Sequence, residues 1–255
     1  MAGSKQELRI SNYEREYTAD YRFESVMVQY RQRIILELIE RIKPKSVIEI
    51  GCGLELLFDR AIKVSKQIED WKIIEPAPKF RAVALERSKH DRRLFVIEDF
   101  LENIVDEISS SMSEPPDLCL ISGVLHEVED PARFLTSLSK IISNKTLVHA
   151  NVPNAFSLHR RLAKSMDIIK EVYELNERNA ALQQNRVFDY QTFSQLFMTL
   201  GYKVESTGGY MIKPFTHGQM VEIQSVATEE VLDGLFKLGR ELPELAAEIF
   251  LTARL

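Results

Sequence analysis

The segment that decides the fold is Ser46-Val-Ile-Glu-Ile-Gly-Cys-Gly-Leu-Glu-Leu-Leu-Phe58. Its first part, residues 47–50, is rich in the β-branched apolar side chains that are typical of a buried parallel strand. Gly51 and Gly53 come directly after it, and glycine lets the backbone turn sharply and approach a ligand closely, because it has no Cβ. We therefore predict a central strand, a tight glycine turn and then a helix, with a ligand bound at the turn.

The residues around this turn indicate the kind of ligand. Glu49 stands near the carboxyl end of the predicted strand, which is where an open α/β sheet binds its ligands. An acid at that point suits a cationic or hydroxyl-bearing ligand better than a pyrophosphate. A dinucleotide-binding turn would have a third glycine at position 56, and Leu56 is found there instead. The sequence therefore disfavours NAD.

Four more apolar segments are predicted to be strands of the same sheet, at residues 71–75, 94–98, 117–122 and 146–152. The first of these ends at Glu75, about twenty residues beyond the glycine turn, and a doubly wound fold places a carboxylate for ribose hydroxyls at this spacing. Asp99 and Phe100 follow the next strand, and Ser122 ends the one after it. Polar side chains are thus predicted to collect at the carboxyl edge of a parallel sheet.

Together these segments resemble the class I S-adenosylmethionine-dependent methyltransferases, in the group that acts on small molecules (domain types 11, 12 and 23). Glu49-Ile-Gly-Cys-Gly53 is similar to the first motif of that family, and Ile74-Glu75-Pro76 is similar to the second. Asp99-Phe100 falls where the family holds the adenine, and Val124-Leu-His-Glu-Val-Glu-Asp-Pro131 resembles a segment of its small-molecule members. The resemblance covers residues 30–150 well and the remainder loosely.

The resemblance implies a fold, a cofactor and the residues that bind it. The implied fold is an α/β, Rossmann-like sheet of seven mostly parallel strands in the order 3-2-1-4-5-7-6, flanked by helices and carrying a helical cap. The implied cofactor is S-adenosylmethionine, which leaves as S-adenosylhomocysteine. In relatives that act on quinones, an arginine at the place of Arg31 contacts the methionine carboxylate. The implied cofactor-binding residues are Arg31, Glu49, Gly51, Cys52, Gly53, Glu75, Pro76, Asp99, Phe100 and Ser122.

The chain is predicted to divide into an N-terminal lid at residues 1–30, a cofactor-binding domain at 31–154 and 189–255, and an acceptor-binding cap at 155–188. Apolar periodicity predicts helices at 24–42, 55–67, 77–88, 131–142, 189–201 and 229–242, and a mostly helical stretch at 160–184. Asp130 is the predicted N-cap of the helix at 131–142. Residues 109–116 are predicted to be a surface loop, and 202–206 and 247–254 to be the last two strands.

The acceptor is predicted to bind between the lid and the cap. Three tyrosines spaced by four residues would share one helical face, where they either dock that helix on the core or meet a polar substrate with their hydroxyls. Residues 151–160 are similar to a segment of methyltransferases encoded with surface-polysaccharide genes, which implies a sugar, a sugar nucleotide or a similar polar precursor. The predicted substrate-binding residues are Tyr13, Tyr17, Tyr21, Asn154, His159 and Arg160.

Three histidines are candidates for catalysis, but His149 lies inside the fifth predicted strand and is expected to be a core residue. Methyl transfer from a sulfonium is an in-line displacement, for which the protein must chiefly align the nucleophile and exclude water. A hydroxyl or protonated amine must also lose a proton, and histidine is often suited to accept it at neutral pH. His126 follows the fourth strand and His159 begins the cap, so both are predicted to be catalytic. The alternatives are that His126 only packs the turn, with Glu127 as its nearest rival, and that His159 begins a solvated helix.

Composition limits the partners and the compartment. The 33 basic and 38 acidic residues give a net charge of −5, which argues against broad contact with nucleic acid. Cys52 and Cys119 fall in or beside predicted strands, so we expect buried free thiols and a reducing compartment. The chain has neither a metal-ligand spacing nor an apolar run long enough to span a membrane. We expect a cytoplasmic monomer or homodimer that binds a small-molecule acceptor and no metal.

Three functions remain open at this point: a small-molecule O- or N-methyltransferase, a protein or RNA methyltransferase, and a non-catalytic homologue that keeps the fold. Some enzymes that methylate adenine or glutamine amides have Asn/Asp-Pro-Pro-Tyr after the fourth strand, and this chain has Ser122-Gly-Val-Leu125 there. That difference argues against this type of N-methylation. Glu55 stands where many members of the family have a third small residue, and it is the support for a non-catalytic homologue.

Overall fold

The computed structural model of this 255-residue chain describes residues 2–19, 21–224 and 226–255, with side chains from Leu8 onward. In this part of the chain, seven strands form one sheet in the order β3-β2-β1-β4-β5-β7-β6. The strand β7 runs antiparallel to both β5 and β6, and the other neighbours are parallel. The predicted fold class and strand order are confirmed. The strands are β1 (Ser46–Ile50), β2 (Asp70–Ile74), β3 (Leu94–Ile97), β4 (Leu118–Ser122), β5 (Leu147–Pro153), β6 (Lys203–Tyr210) and β7 (Glu248–Arg254).

Helices cover both faces of the sheet. One hydrophobic cluster joins the sheet to α5, α6 and α9, and a second joins it to α2, α3 and α4. A third cluster packs the first half of α2 with α10, α11 and the end of β6. The α-helices of the described residues are α1 (Ala2–Ala19), α2 (Glu24–Ile42), α3 (Phe58–Val64), α4 (Pro78–Ser88), α5 (Leu101–Ser111), α6 (Pro131–Leu138), α7 (Leu158–Ser165), α8 (Glu177–Ala181), α9 (Tyr190–Thr199), α10 (His217–Gln224) and α11 (Glu229–Glu241).

The central strands are almost wholly apolar because both of their faces are buried. In β1, Ile48 and Ile50 belong to the first cluster, whereas Val47 belongs to the second. Side chains alternate between the faces along a strand, so Glu49 is directed to the same face as Val47. Its carboxyl group is therefore carried into the interior, where Glu49 is only 4% exposed.

The cap differs most from the sequence-based expectation, because residues 160–184 are not mostly helical. Only α7 and α8 form there, with irregular chain between them. The helix α7 ends in a Schellman motif: Asp167 has a φ of 57°, and the N–H of Ile168 donates to the carbonyl of Ala163 at 2.9 Å. Asn176 then begins α8 through a capping box with Asn179. Local polar side chains thus interrupt a pattern whose apolar spacing alone suggested one longer helix.

Smaller differences occur at the ends of other elements. The helix predicted at 55–67 begins only at Phe58, because the glycine turn continues through residues 54–57. The predicted loop at 109–116 is helical as far as Ser111, and α10 was not predicted. Asp130 caps α6 as expected, since its side chain accepts from the N–H of Arg133 at 2.9 Å. Both cysteines are buried free thiols, and no helix among the described residues has the length and apolarity needed to cross a bilayer.

Candidate active site

A cavity of about 1120 Å³ lies at the carboxyl edge of the parallel strands. Its walls come from the turns after β1, β2, β3, β4 and β5, from the start of β7, and from α1, α2 and the cap. All ten predicted cofactor-binding residues line it, and so do both candidate histidines. Residues from distant parts of the chain therefore line one cavity.

The glycine turn after β1 lines the half of the cavity that also contains Glu75 and Asp99, called here the cofactor half; the other half, lined by His126 and the cap, is the acceptor half. Gly51 has a φ of 78°, and a Cβ built there would lie 2.8 Å from Cγ2 of Val124. Gly53 has a φ of 59°, and its missing Cβ would meet nothing within 4 Å. Left-handed backbone favours glycine at both positions, and close packing adds a second requirement at Gly51. The turn is thus shaped so that the backbone itself, rather than side chains, faces the cavity.

Glu75 ties this turn to the end of β2. Its Oε2 accepts from the N–H of Cys52 at 3.1 Å, and its Oε1 accepts from the N–H of Ala77 at 2.9 Å. Burial raises the pKa of Glu75, while the two backbone N–H groups act in the opposite direction. Each carboxylate oxygen can accept more than one hydrogen bond, so Glu75 keeps acceptor capacity towards the cavity. Pro76 lines the cavity beside it.

Glu49 is a second acid in this half of the cavity. Its Oε2 accepts from Nε1 of Trp71 at 2.9 Å. Burial raises the pKa of Glu49 from 4.5 to about 8, although the bond from Trp71 favours the charged form. Glu49 is therefore largely protonated at pH 7 in the free protein. A cation placed beside it would favour its ionised form.

Asp99 and Phe100 follow β3 and line the far side of the same half. Oδ1 of Asp99 accepts from the N–H of Phe100 and from Nδ2 of Asn103, both at 2.7 Å. The Oδ2 atom has no such partner in the described part of the chain. A polar acceptor and an aromatic ring are therefore next to each other at this end of the cavity.

Arg31 is held by two acids, Glu24 and Glu248, and the sequence analysis singled out neither of them. Its Nε donates to Oε2 of Glu248 at 3.0 Å, and its Nη2 bonds both Oε1 of Glu248 and, at 2.9 Å, Oε1 of Glu24. Although burial opposes ionisation, Arg31 lowers the pKa of Glu248. The guanidinium expected to meet a cofactor carboxylate is thus largely occupied within the protein, because both Nε and Nη2 bond acids.

Glu248 also connects Arg31 to the carboxyl ends of β4 and β5. Its Oε2 accepts from Nδ2 of Asn151 at 2.8 Å and from the hydroxyl of Tyr210. Oδ1 of Asn151 in turn accepts from Oγ of Ser122 at 2.7 Å. Because β7 is antiparallel to β5, it begins where β5 ends, and Glu248 lies opposite Pro153. The predicted strand order could therefore have placed Glu248 at the carboxyl edge of the sheet.

His126 and Glu127 stand together on the cavity wall after β4. Nε2 of His126 lies 3.6 Å from Oε1 of Glu127, and Oε2 of Glu127 accepts from the hydroxyl of Tyr13 at 2.9 Å. Burial lowers the pKa of His126 to about 3 and raises the pKa of Glu127 to about 8. Nδ1 of His126 is buried and has no hydrogen-bond partner among the described residues. At pH 7 this pair therefore holds one proton, on Glu127.

His159 and Arg160 lie in the first turn of α7 and line the cap side of the cavity. Nε of Arg160 donates to the carbonyl of Val172 at 2.7 Å, and its Nη2 donates to the carbonyl of Glu174. Arg160 thus holds the irregular chain of the cap in place. Lys213, which the sequence did not single out, lines the same region.

The remaining predicted substrate residues have different surroundings. Tyr13 and Tyr17 line the cavity and pack on Phe80, with ring centroids 5.6 and 5.2 Å away. Tyr21 lies outside α1, does not line the cavity, and donates to Oε1 of Glu55 at 2.8 Å. Asn154 lines the cavity, but both N–H groups of its amide bond backbone carbonyls at 3.1 and 2.9 Å. Oδ1 of Asn154 already accepts from the N–H of Phe156 at 2.9 Å, so its second lone pair is the capacity left for a ligand.

A seven-stranded sheet in this order, with a glycine turn after β1 and acids at the carboxyl ends of β1 and β2, is typical of the class I S-adenosylmethionine-dependent methyltransferases. The family model described as a methyltransferase domain, of type 23, matches residues 22–207. The chain therefore belongs to the methyltransferase domain family, and the class predicted from its sequence is confirmed. A comparison with curated proteins found no match.

Solved structures share the fold at low identity. The plantazolicin methyltransferase BamL, in complex with a triazolic desmethylPZN analog and SAH, is 16% identical with a TM-score of 0.57, over 96% of this chain and 97% of that chain. An S-adenosylmethionine-dependent methyltransferase from Mesorhizobium loti is 14% identical with a TM-score of 0.54, over 88% and 98%. Mitomycin 7-O-methyltransferase MmcR is 13% identical with a TM-score of 0.55, over 90% of this chain and 54% of that chain.

Proposed function

We propose that this protein transfers a methyl group from S-adenosylmethionine to an oxygen or nitrogen atom of a polar small molecule. One observation carries the proposal: a single cavity has the glycine turn and the strand-end acids on one side, and histidines and cationic side chains on the other. Ligand pockets usually have volumes of about 300–1,000 Å³. A cavity of about 1120 Å³ is large enough to hold a cofactor and an acceptor together.

The residues of the cofactor half of the cavity fit S-adenosylmethionine. A Cβ at position 51 would enter the packed turn, and Glu75 has acceptor capacity left for ribose hydroxyls. Glu49 is suited to a ligand ammonium group, because its buried carboxyl needs a cation to ionise at neutral pH. Asp99 and Phe100 would contact the adenine. The bound cofactor supplies a methyl group that is already activated by a sulfonium, so the protein's own residues are left with alignment and proton removal.

The pair of His126 and Glu127 would accept the proton of the acceptor. Proton transfer is most efficient when the pKa of the base is near the working pH, and Glu127, with a pKa of about 8, meets this condition better than His126. His126 lines the cavity, and a neutral imidazole has one ring nitrogen that can accept a hydrogen bond from a hydroxyl or amine. We assign His126 to orienting the nucleophile and receiving its proton, with Glu127 as the group whose ionisation makes the pair basic.

The helix α1 and the cap would exclude water from the reaction. Arg9 and Gln183 are joined by two hydrogen bonds of 2.7 Å, so α1 contacts the cap directly. Tyr13 joins the same helix to Glu127. The helix α1 and residues 155–188 would thus form the two sides of a cover over the part of the cavity that binds the acceptor. A cavity between these two segments favours a small acceptor over a protein or an RNA.

The identity of the acceptor must come from this cavity, because one fold hosts many functions. Relatives with the same fold include a plantazolicin methyltransferase and a mitomycin 7-O-methyltransferase, whose acceptors differ widely. The sequence of residues 151–160 favours a sugar or a sugar nucleotide. Glu55, the one support for a non-catalytic homologue, bonds Tyr21 and so has a structural role in anchoring the N-terminal segment.

The test combines binding and turnover. Titration calorimetry should detect binding of S-adenosylmethionine, and Glu75→Ala should weaken it by about 1.5–3 kcal/mol, the contribution of hydrogen bonds to a charged group. Release of S-adenosylhomocysteine should then be followed with a panel of sugars, sugar nucleotides and polar amines. Unchanged affinity in Glu75→Ala would remove the assignment of the ribose site. Binding without turnover on any acceptor would favour the non-catalytic alternative.

A further inference from the structure

We propose that the acceptor carries an anionic group, a phosphate or a carboxylate, which Lys213 and His159 bind in the cap half of the cavity. This inference rests on the proposed function, because it assigns a chemical class to the acceptor of the same site. Lys213 follows β6 in a loop that leads to α10, and no sequence motif pointed to it. Its position beside the first turn of α7 comes only from the tertiary structure.

Lys213 is a cationic group that faces the cavity without a contacting acid. It makes neither an ion pair nor a hydrogen bond to a side chain in the described part of the structure, although it lines the cavity. Burial lowers the pKa of Lys213 to about 8, and the charge of Arg178 lowers it further against the attraction of Glu24 and Glu248. An ammonium group in such a place is stabilised when a ligand brings an anion to it.

The charged groups that act most strongly on His159 are cationic. Burial lowers its pKa well below the usual value, and the neighbours that act on it in the same direction include Lys213, Arg160 and Arg178. Its Nδ1 is buried and bonds no described residue. The N-terminal turn of α7, which carries His159, adds the positive potential of its peptide N–H groups. The cations and the helix N-terminus favour an anion at this point.

The acids of this region already have partners. Glu24 and Glu248 both bind Arg31, and Oε2 of Glu174 accepts from the N–H of Lys170 at 2.9 Å. None of them contacts Lys213 within ion-pair distance. The charge of Lys213 is therefore available to a ligand. An acceptor could carry a hydroxyl or amine at one end and an anionic group at the other. The first end would contact His126 and Glu127, and the second would contact Lys213 and His159.

Titration calorimetry on the full chain can test this with four probes: inorganic phosphate, glucose 6-phosphate, glucuronate and glucose. Each is titrated into the protein with and without saturating S-adenosylhomocysteine, whose own affinity is measured first. Lys213→Met removes the charge and keeps an apolar stem, and its folding is checked by the affinity for S-adenosylhomocysteine. Lys203→Met, at an exposed position that begins β6, is the matched control.

We expect glucose 6-phosphate or glucuronate to bind at least about tenfold more tightly than glucose, and the better of the two identifies the anionic group. Lys213→Met should weaken that probe by about 10- to 100-fold, the range for hydrogen bonds to charged groups. Lys203→Met should bind like the wild type. If no anionic probe binds better than glucose, or if Lys213→Met leaves the anion affinity unchanged, the inference is overturned. Failure of S-adenosylhomocysteine to bind would instead count against the proposed function.

Discussion

Replacing Glu49 by glutamine should stabilise the free protein at high pH. Burial raises the pKa of Glu49 from 4.5 to about 8, so between these values the folded protein holds one more proton than the unfolded chain. Its contribution to stability is fully present below pH 4.5 and is lost as the pH rises through 8. Since each pH unit is worth about 1.4 kcal/mol for one proton, the loss is at most about 5 kcal/mol. Glutamine cannot ionise, and its Oε1 can still accept from Trp71.

The measurement is urea unfolding at pH 5 and at pH 9, followed by circular dichroism and by the fluorescence of Trp71, the single tryptophan of the chain. The free energy of unfolding of Glu49→Gln relative to wild type should rise by several kcal/mol between the two pH values. Glu107→Gln, the same change at an exposed acid of α5, should show no such rise. Parallel pH curves for Glu49→Gln and wild type would refute the argument. The variant should also bind S-adenosylmethionine more weakly, because stability is exchanged for function at such sites.

Three further results are expected. Gly53→Ala should cost about 1–2 kcal/mol of stability, because its backbone is left-handed. Gly51→Ala should cost about 1–3 kcal/mol more, because its Cβ would also press on Val124. Chemical denaturation would measure both costs, and equal costs would contradict the packing argument. The pH profile of kcat/KM should have an acidic limb with its midpoint near 8, and Glu127→Gln should remove it. His126→Ala should lower turnover by about 10²–10⁴-fold without altering cofactor affinity. An acidic limb that persists in Glu127→Gln would exclude Glu127 as the group that titrates. In hydrogen exchange of the free protein, α1 and residues 155–188 should exchange faster than the central strands, and equal protection would count against a cover.

Local sequence determined the strands, the turn and the positions of the strand-end acids. An apolar run followed by two glycines predicts a buried strand and a turn wherever it occurs, because the causes are backbone freedom and the two-residue period of a strand. The strand order followed from the family resemblance, and with it Glu49, Glu75 and Asp99 could be placed at one edge. The limits of helices were predicted less well, since single polar residues such as Asp167 and Asn176 ended or began them.

Tertiary structure decided which of these groups meet and what charge they carry. Glu248 and Arg31 are 217 residues apart in the chain and form one buried ion pair, which no local pattern contains. Lys213, in the loop after β6, and His159, in the first turn of α7, line the same cavity in the folded chain. Burial then moves the pKa of Glu49 upwards, because the cost of removing charge from water depends on everything packed around the group. The sequence thus identified the cofactor half of the cavity, and only the folded chain assembled the acceptor half.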